Sequence, residues 1–272
     1  MATESTPTSE LGKEIKVGCI NIGGSLYSQK GEKITEIKKV IEDENPEVLY
    51  LQETEQPDVD EKCLPRFDNY ITYCPKKMKP KTRIMCLIKE DLNHKIRTDL
   101  MEESCSSIWV ECSTETGQKT LIGGYYREWD DLDRDNGKTP ETQKRIDQMA
   151  IRFETFLSQL KKACSENKQV VFIGDLNLDK TKWTDEGWSL KRLSNRLQEE
   201  LMTNNIQIPD HGITRRRVDL NGKISQSALD IAGTNMLDTV WIICLELPHA
   251  IFFPCQDLNK KTLQLFSTTK KL

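Results

Sequence analysis

Short apolar runs alternate with amphipathic segments along most of the chain, and this pattern predicts a mixed α/β protein. The runs 15–20 and 48–51 are short, apolar and typical of strands. Between them, apolar residues from Ile34 to Ile41 recur at helical spacing until Asn45-Pro46 ends the helix. The beginning of the chain therefore predicts a strand, a helix and a second strand.

The middle of the chain predicts antiparallel strands followed by one long helix. Four short β-rich segments are separated by turns that carry Lys, Asp or Gly: residues 70–73, 83–88, 107–112 and 119–126. After them, Thr139 is a capping residue, and Pro140 begins a helix whose apolar residues from Ile146 to Leu160 keep one face. We expect this helix to pack on a meander of strands.

The last part of the chain repeats the alternation of strands and helices. A strand at 170–173 precedes a helix whose leucines recur at helical spacing between Leu190 and Leu201. Two more strands are predicted at 228–232 and 239–247. The whole pattern suits an α/β (α+β) fold, a four-layer sandwich in which two packed mixed β-sheets are flanked by helices.

One large domain between two divergent ends is the expected organisation. Residues 1–14 are rich in Ser, Thr, Glu and Pro, which predicts a disordered tail. Residues 15–247 contain the predicted strands and helices, and residues 248–272 form a divergent C-terminal segment. Two separate domains, divided at the acidic loop 128–137, are the alternative.

Composition and charge exclude several classes of protein. The 272 residues are 36% hydrophobic and carry 39 Lys and Arg against 43 Asp and Glu, as in soluble folded proteins. A slightly acidic chain does not hold nucleic acid by bulk charge, so a polyanion has to meet local basic patches. No apolar stretch approaches the roughly 20 residues of a membrane-spanning helix, and no secretory signal is present, so we expect no membrane partner and an intracellular location, nuclear or cytoplasmic.

The nine cysteines form no C-x-x-C pair and are interpreted as reduced thiols.

Polar residues that could carry chemistry stand at or near the ends of the predicted strands. Asp175 and Asn177 leave one apolar strand together, Glu53 follows another, Asn21 ends the first, and Asp230 lies in a late apolar segment. Carboxylate oxygens are the ligands that Mg²⁺ and Mn²⁺ prefer. Each residue alone is also explained as an ordinary turn or surface residue.

Taken in order, these motifs resemble the endonuclease/exonuclease/phosphatase superfamily over roughly residues 15–235. The ordered set is Asn21, Leu51-Gln52-Glu53-Thr54, Gly124-Tyr125-Tyr126-Arg127-Glu128-Trp129, Gly174-Asp175-Leu176-Asn177 and Ser227-Ala228-Leu229-Asp230. The Tyr-Arg-Glu-Trp element and Gly212-Ile213-Thr214-Arg215 are more similar to the endonuclease domain of non-LTR, LINE-like retrotransposons than to the phosphoinositide phosphatases or sphingomyelinases.

The resemblance implies a metal-dependent phosphodiesterase that nicks DNA and leaves a 3′-hydroxyl. Glu53 would hold Mg²⁺ (or Mn²⁺), with Asn21 assigned to the same metal site. Asp175 would orient or deprotonate the attacking water, while Asn177 and the Tyr126 hydroxyl would donate hydrogen bonds to the phosphate. Such an enzyme has DNA as its partner. A reverse transcriptase region, which this sequence does not contain, is a second expected partner.

Four arginines are the predicted contacts to the DNA backbone: Arg127, Arg215, Arg216 and Arg217. A second basic cluster, from Lys76 to Arg83, contains no acidic residue. Lysine and arginine contacts to phosphates supply affinity that does not depend on base sequence. A solvated charged loop is the alternative interpretation of both clusters.

The sequence departs from the family at its C-terminal end. Members of the family close with a Ser-Asp-His triplet, in which the Asp assists the metal and the His meets the scissile phosphate. Here Leu247-Pro248-His249 stands at that point, so His249 is the candidate for the His, and Asp230 is the candidate for the earlier Asp with which that His pairs in the family. Loss of this element through a truncated or altered 3′ end is the alternative. Asp210-His211 has the right residue types but the wrong order.

Three functions are therefore open at this stage. The first is the nicking endonuclease, and the second is a catalytically impaired remnant that binds nucleic acid or protein through the same fold. The third is a phosphatase or deadenylase of the same superfamily.

Overall fold

The computed structural model describes residues 15–24, 26, 32–56, 64–75, 82–113, 117–128, 140–166, 168–209, 215–218, 224–235, 240–246 and 249–253. The predicted N-terminal tail, the lysines between 76 and 81, most of the acidic loop and Asp210-His211 lie outside these residues. No helix among the described residues is both long and apolar enough to span a membrane.

The described elements comprise three α-helices and a larger set of strands. The helices are α1 (Glu32–Glu44), α2 (Pro140–Ser165) and α3 (Lys191–Thr203), and the strands are β1 (Ile15–Asn21), β2 (Val48–Gln56), β3 (Tyr70–Tyr73), β4 (Thr82–Lys89), β5 (His94–Ile96), β6 (Ser107–Ser113), β7 (Lys119–Tyr125), β8 (Gln169–Asp175), β9 (Arg215–Val218), β10 (Ile224–Ser227), β11 (Asp230–Thr234), β12 (Val240–Glu246) and β13 (His249–Phe253). Helix α2 begins at Pro140, as the sequence pattern predicts.

The strands form two large mixed sheets and one small ribbon. The first sheet has the order β13-β12-β1-β2-β4-β3, and the second has the order β11-β8-β7-β6-β5. Strand β1 is parallel to β2 and β12, and β7 is parallel to β8, whereas the other pairs are antiparallel. Strands β9 and β10 form the separate ribbon. The predicted pair of mixed sheets is confirmed.

Alternating side chains divide the molecule into four layers, because successive residues of a strand face opposite sides of the sheet. Val17, Tyr50 and Ile84 of the first sheet join Ile122 and Ile173 of the second in one buried cluster between the sheets. The intervening residues pack outward against helices, those of the first sheet with α1 and those of the second with α2 and α3. The flanking helices of the predicted sandwich are thus in place.

Several short strands were not predicted from the sequence. Strand β5 and the β9–β10 ribbon are three or four residues long in each strand, too short for a clear alternation. Strand β13 pairs with β12 and continues the first sheet beyond residue 247, the predicted end of the domain. The described cysteines Cys19, Cys74, Cys86, Cys105, Cys112 and Cys164 are free thiols, as the sequence indicated.

Polar side chains cross the apolar interface between the two sheets. The Tyr50 hydroxyl donates to the Ile122 carbonyl at 2.9 Å, and the Gln52 amide donates to the Tyr125 carbonyl at 2.9 Å. Gly174 lies beside the same carbonyl, and an added Cβ would stand 1.8 Å from the Tyr125 oxygen. Only glycine therefore allows β7 and β8 to approach in this way, and the ends of β2, β7 and β8 meet at one edge.

A partly buried ion-pair network around Arg97 joins the second sheet to the end of α2. The Arg97 guanidinium contacts Glu166 at 2.6 Å, Asp99 at 2.7 Å and Glu111 at 2.9 Å, and Lys168 contacts Glu111 at 2.6 Å. The hydrogen bonds from Arg97 lower the pKa of Asp99 and of Glu166 to about 2, and the bond from Lys168 lowers that of Glu111 to about 2. These carboxylates stabilise the fold only while they are ionised.

The network predicts a specific loss of stability in acid. Because the folded pKa values lie below the unfolded ones, the stabilisation is present above about pH 5 and is lost as the pH falls toward about 2. We expect Arg97→Met to lower the free energy of unfolding by about 1–2 kcal/mol at pH 7, less than for a fully buried pair, because Asp99 is half exposed and Lys168 still pairs with Glu111 and Glu166. Urea unfolding at a series of pH values measures both effects. An equal pH dependence in Arg97→Met and the wild type would contradict this account.

Candidate active site

The amide of Asn21 lies between two carboxylates that come from different sheets. Its Nδ2 donates to Glu53 Oε1 at 2.8 Å and to Asp175 Oδ2 at 2.9 Å. The Gly23 N–H donates to Asn21 Oδ1 at 2.9 Å, and this contact fixes which end of the amide faces the carboxylates. Three residues that are far apart in sequence therefore converge at one point.

A bulge in β2 turns Glu53 toward this point. The register between β2 and β4 shifts between Gln52 and Gln56, and Glu53 and Glu55 have φ values of 54° and 46°. A left-handed backbone costs a residue with a Cβ roughly 1–2 kcal/mol. Backbone hydrogen bonds from Ile22 to Gln52 and from Gly24 to Glu53 hold the bulge against this cost. Strain that the surroundings enforce is common at functional sites.

Asp175 and Asn177 form a tight turn at the end of β8. Asp175 is 2% exposed, and its Oδ1 accepts the Asn177 backbone N–H at 2.8 Å. Asn177 has a φ of 48°, and its Nδ2 donates to the Arg127 carbonyl at 2.6 Å. Both oxygens of Asp175 are thus held by N–H donors, and the turn is tied to the loop after β7.

Tyr126 reaches the same point from the end of β7. Its hydroxyl donates to Glu53 Oε1 at 3.2 Å. Burial raises the pKa of Tyr126 well above its usual value, and the negative charges of Glu53 and Asp175 raise it further, so the hydroxyl keeps its proton. Tyr125 points the other way and stacks on Phe156, with ring centroids 4.0 Å apart. Tyr126 is therefore the member of the Tyr-Tyr pair that belongs to the site.

Asp230 and His249 lie on edge strands of the two different sheets, Asp230 on β11 of the second sheet and His249 on β13 of the first. Asp230 is 3% exposed and is the register partner of Asp175 on β11 and β8. His249 is the partner of Glu246 on β13 and β12, and Glu246 is in turn the partner of Asn21. The backbone of His249 is therefore in line with the site residue Asn21, while its side chain is outside the described part.

The four arginines that were predicted to contact DNA lie in two different parts of the structure. The Arg127 side chain is 3% exposed, about as buried as those of Tyr126 and Asp175, and its contact with a phosphate stays a prediction. Its carbonyl accepts the hydrogen bond from Asn177. Arg215, Arg216 and Arg217 lie on β9 of the small ribbon, and their side chains are outside the described part. Their contact with DNA stays a prediction.

Four charged residues at the rim of the site were given no role there from the sequence. Arg83 contacts Glu55 and Glu128, each at 3.4 Å, and Arg152 contacts Glu128 at 3.0 Å. Arg83 was grouped only with the preceding lysines, although its position in a strand that pairs with the strand of Glu53 was a usable signal. The roles of Glu55 and Glu128 depend on the bulge and the loop, which leave no sequence pattern.

The donor set fits a magnesium-type cation. Mg²⁺ is usually bound by one or two carboxylates together with waters and substrate phosphates, not by a closed protein cage. Glu53 and Asp175 offer two such carboxylates within hydrogen-bond distance of one nitrogen, and no group of three or more His, Cys, Asp or Glu surrounds a cation position among the described residues. Asn21 turns its nitrogen to the two carboxylates, so it lies beside the cation position as a supporting amide, and its role in the metal site stays a prediction.

Comparisons with known proteins bear on the fold. No protein-family model matches the sequence, and no curated protein matches it. The AP endonuclease LMAP from Leishmania major superposes with a TM-score of 0.56 at 16% identity, over 79% of this chain and 77% of that chain. The endonuclease domain of TRAS1, a telomere-specific non-LTR retrotransposon, gives 0.52 at 16% identity, over 77% and 84% of the two chains.

A third structure carries the family name itself. An endonuclease/exonuclease/phosphatase family protein from Leptotrichia buccalis C-1013-b gives a TM-score of 0.50 at 11% identity, over 83% of this chain and 90% of that chain. At such identities the agreement concerns the backbone, and it bears out the resemblance that the ordered motifs indicated. The chain has the fold of the endonuclease/exonuclease/phosphatase proteins.

Proposed function

We propose that the chain is a divalent-metal-dependent phosphodiesterase that nicks DNA and leaves a 3′-hydroxyl. The observation that carries this proposal is the amide of Asn21, which joins Glu53 and Asp175 at 2.8 and 2.9 Å in a place that Tyr126 also reaches. The fold supports it, because several proteins with this fold are endonucleases by name.

Hydrolysis of a phosphodiester requires a positioned water, stabilisation of charge on the phosphoryl oxygens and stabilisation of the leaving oxygen. Mg²⁺ (or Mn²⁺) held by Glu53 would neutralise part of this charge. Asp175 orients the attacking water and accepts its proton, since the carboxylate is buried and fixed by Asn21 and Asn177. The new P–O bond forms from the water oxygen, and the bond to the 3′ oxygen breaks.

Hydrogen-bond donors stabilise the phosphate in this proposal. The Tyr126 hydroxyl keeps its proton and lies 3.2 Å from Glu53, so it donates at the position where a metal-bound phosphate would sit. Asn177 has two amide hydrogens, one of which is directed to the Arg127 carbonyl. Its left-handed backbone keeps the amide beside Asp175.

A second candidate is a catalytically impaired protein that binds nucleic acid through the same cleft. One observation favours it: Leu247-Pro248 stands where the family resemblance calls for Ser-Asp, so this point offers no carboxylate. Activity and binding measured on the same preparation distinguish the two candidates.

Removal of either site carboxylate is expected to abolish nicking. Glu53→Gln and Asp175→Asn keep the side-chain size but lose the charge, and we expect relaxation of a supercoiled plasmid in Mg²⁺ to fall by about 100-fold or more. EDTA is expected to stop the wild-type reaction. Glu154→Gln, a half-exposed carboxylate on α2 that pairs with Arg196, serves as the matched control and should nick at the wild-type rate.

The outcomes separate the proposals. Wild-type rates in Glu53→Gln would show that the assignment of the metal ligand is wrong. A folded wild-type protein that binds plasmid DNA and does not relax it with Mg²⁺ or Mn²⁺ would favour the second candidate.

His249 is expected to donate a hydrogen bond or a proton to the scissile phosphate. Its backbone is in line with Glu246 and Asn21, and the loss of one group that donates to a developing negative charge costs about 100–1,000-fold. We expect His249→Ala to reduce nicking by about that factor. The double substitution Leu247→Ser/Pro248→Asp, which restores the family triplet, should increase it. Plasmid nicking by the three proteins side by side is the measurement, and an unchanged rate in His249→Ala would remove His249 from the site.

A further inference from the structure

The turn that follows β1 contains two glycines with little packed around them. Gly23 and Gly24 both have left-handed backbones, with φ values of 60° and 113°. Among the described residues beyond their chain neighbours, no heavy atom lies within 4 Å of a Cβ added at Gly23, and the atom nearest to one added at Gly24 is Nζ of Lys33, at 3.8 Å. Glycine has more backbone freedom than any other residue, so this turn needs hydrogen bonds to keep one conformation.

The N–H groups of the turn reach two residues of the candidate site. The Gly23 N–H donates to Asn21 Oδ1 at 2.9 Å, and Asn21 in turn donates to both site carboxylates. The Gly24 N–H donates to the Glu53 carbonyl at 2.9 Å and so helps to hold the bulge that carries Glu53. The conformation of the turn therefore helps to fix both the Asn21 amide and the Glu53 carboxylate.

Lys33, the second residue of α1, holds the turn from the side of the helix. Its Nζ donates to the Gly23 carbonyl at 3.1 Å. That carbonyl and the Gly24 N–H belong to the same peptide unit, so Lys33 and Glu53 bind the two ends of one peptide. Lys33 is 8% exposed, and a buried ammonium needs an acceptor. A hydrogen bond from a charged donor is roughly twice as strong as a neutral one.

The bond from Lys33 opposes rotation of this peptide. Because neither glycine carries a side chain, the peptide can turn over at little steric cost. A peptide that turned over would direct its carbonyl oxygen, in place of its N–H, toward the Glu53 carbonyl, and two acceptors repel each other. The same rotation would take the acceptor away from the Lys33 ammonium. In the observed orientation the ammonium also polarises the peptide, which strengthens the N–H bond to Glu53.

We infer that Lys33 is a positioning residue of the candidate metal site, which locks the Gly23-Gly24 turn and thereby holds Asn21 and the Glu53 bulge in place. The inference rests on the proposed function, because the exact place of Glu53 matters for activity only if the site binds a cation. Lys33 bonds to the backbone of the turn, so it acts on the site through Asn21 and Glu53.

Binding of Mn²⁺ to the full chain without DNA tests this role. We expect Lys33→Met to weaken Mn²⁺ binding by about 10-fold, since loss of a group that orients a metal ligand from outside typically costs 10–100-fold in affinity. The EPR signal of free Mn²⁺ measures the change. Lys33→Arg keeps a charged donor and should recover most of the affinity, and Lys33→Gln replaces Lys33→Met if the apolar side chain prevents folding. Wild-type Mn²⁺ affinity in the folded variant without the charge would overturn the inference.

Lys16→Met is the matched control. Lys16 also joins β1 to α1 by a bond from Nζ to a backbone carbonyl, that of Glu44 at 2.5 Å, but at the opposite end of both elements. Its loss should leave the Mn²⁺ affinity unchanged even where it lowers stability. Equal weakening in Lys16→Met and Lys33→Met would show a general effect of packing and would also overturn the inference.

The Mg²⁺ dependence of plasmid nicking separates positioning from a loss of folded protein. Less folded protein lowers the rate at every Mg²⁺ concentration, whereas a displaced metal ligand raises the concentration that gives the half-maximal rate. For Lys33→Met we expect this concentration to rise about 10-fold, with a smaller change of the rate at saturating Mg²⁺. A higher KM for DNA at an unchanged Mg²⁺ midpoint would mean that Lys33 meets the substrate, against the inference.

The NMR signal of the Asn21 side-chain amide distinguishes the failure of this inference from the failure of the proposed function. The measurement uses ¹⁵N-labelled protein without metal or DNA, and Asn21→Ser assigns the signal by its loss. We expect Lys33→Met to shift the signal and Lys16→Met to leave it in place. An unshifted signal in Lys33→Met overturns the inference even if the wild type nicks DNA. A shifted signal in a protein that does not nick supports the hold of Lys33 on Asn21 and counts against the proposed function alone.

Discussion

The candidate site depends on one amide that holds two negative groups together. Asn21 Nδ2 donates to Glu53 from the first sheet and to Asp175 from the second. Two carboxylates about 5 Å apart repel each other by roughly 3 kcal/mol at an effective dielectric constant of 20. The amide offsets part of this repulsion, and a divalent cation would offset the rest. The fold therefore maintains a charge arrangement that favours cation binding.

The two carboxylates stay close together because the two sheets are fixed to each other beside them. The Gln52 amide crosses to the Tyr125 carbonyl, and Gly174 allows that carbonyl to approach β8. Such cross-sheet bonds are buried in an apolar layer, where an unmade hydrogen bond costs about 1–3 kcal/mol. Further hydrogen bonds hold the left-handed backbones of Glu53 and Asn177: Gly24 N–H donates to the Glu53 carbonyl, and the Asn177 amide donates to the Arg127 carbonyl. Precision at the cleft is thus a property of the sheet interface and not of the loops alone.

Charged and neutral groups are arranged in order from the centre of the cleft to its rim. Two carboxylates lie at the centre, and the neutral Tyr126 hydroxyl stands beside them, because burial and the neighbouring negative charges keep it protonated. The Arg83 guanidinium and the carboxylate of Glu128 follow at the rim.

The sequence by itself determined the elements and the identity of most site residues. Periods of 2 and 3.6 residues are local properties, so strand β8 and helix α2 could be predicted, and polar residues at strand ends such as Asn21, Glu53 and Asp175 could be recognised in order. Only the tertiary structure decided how these residues act. The bulge that turns Glu53, the burial of Arg127 and the place of Arg83 between Glu55 and Glu128 all depend on tertiary contacts. Such contacts join residues far apart in the chain, and no local pattern encodes the direction in which a side chain points once two sheets have packed.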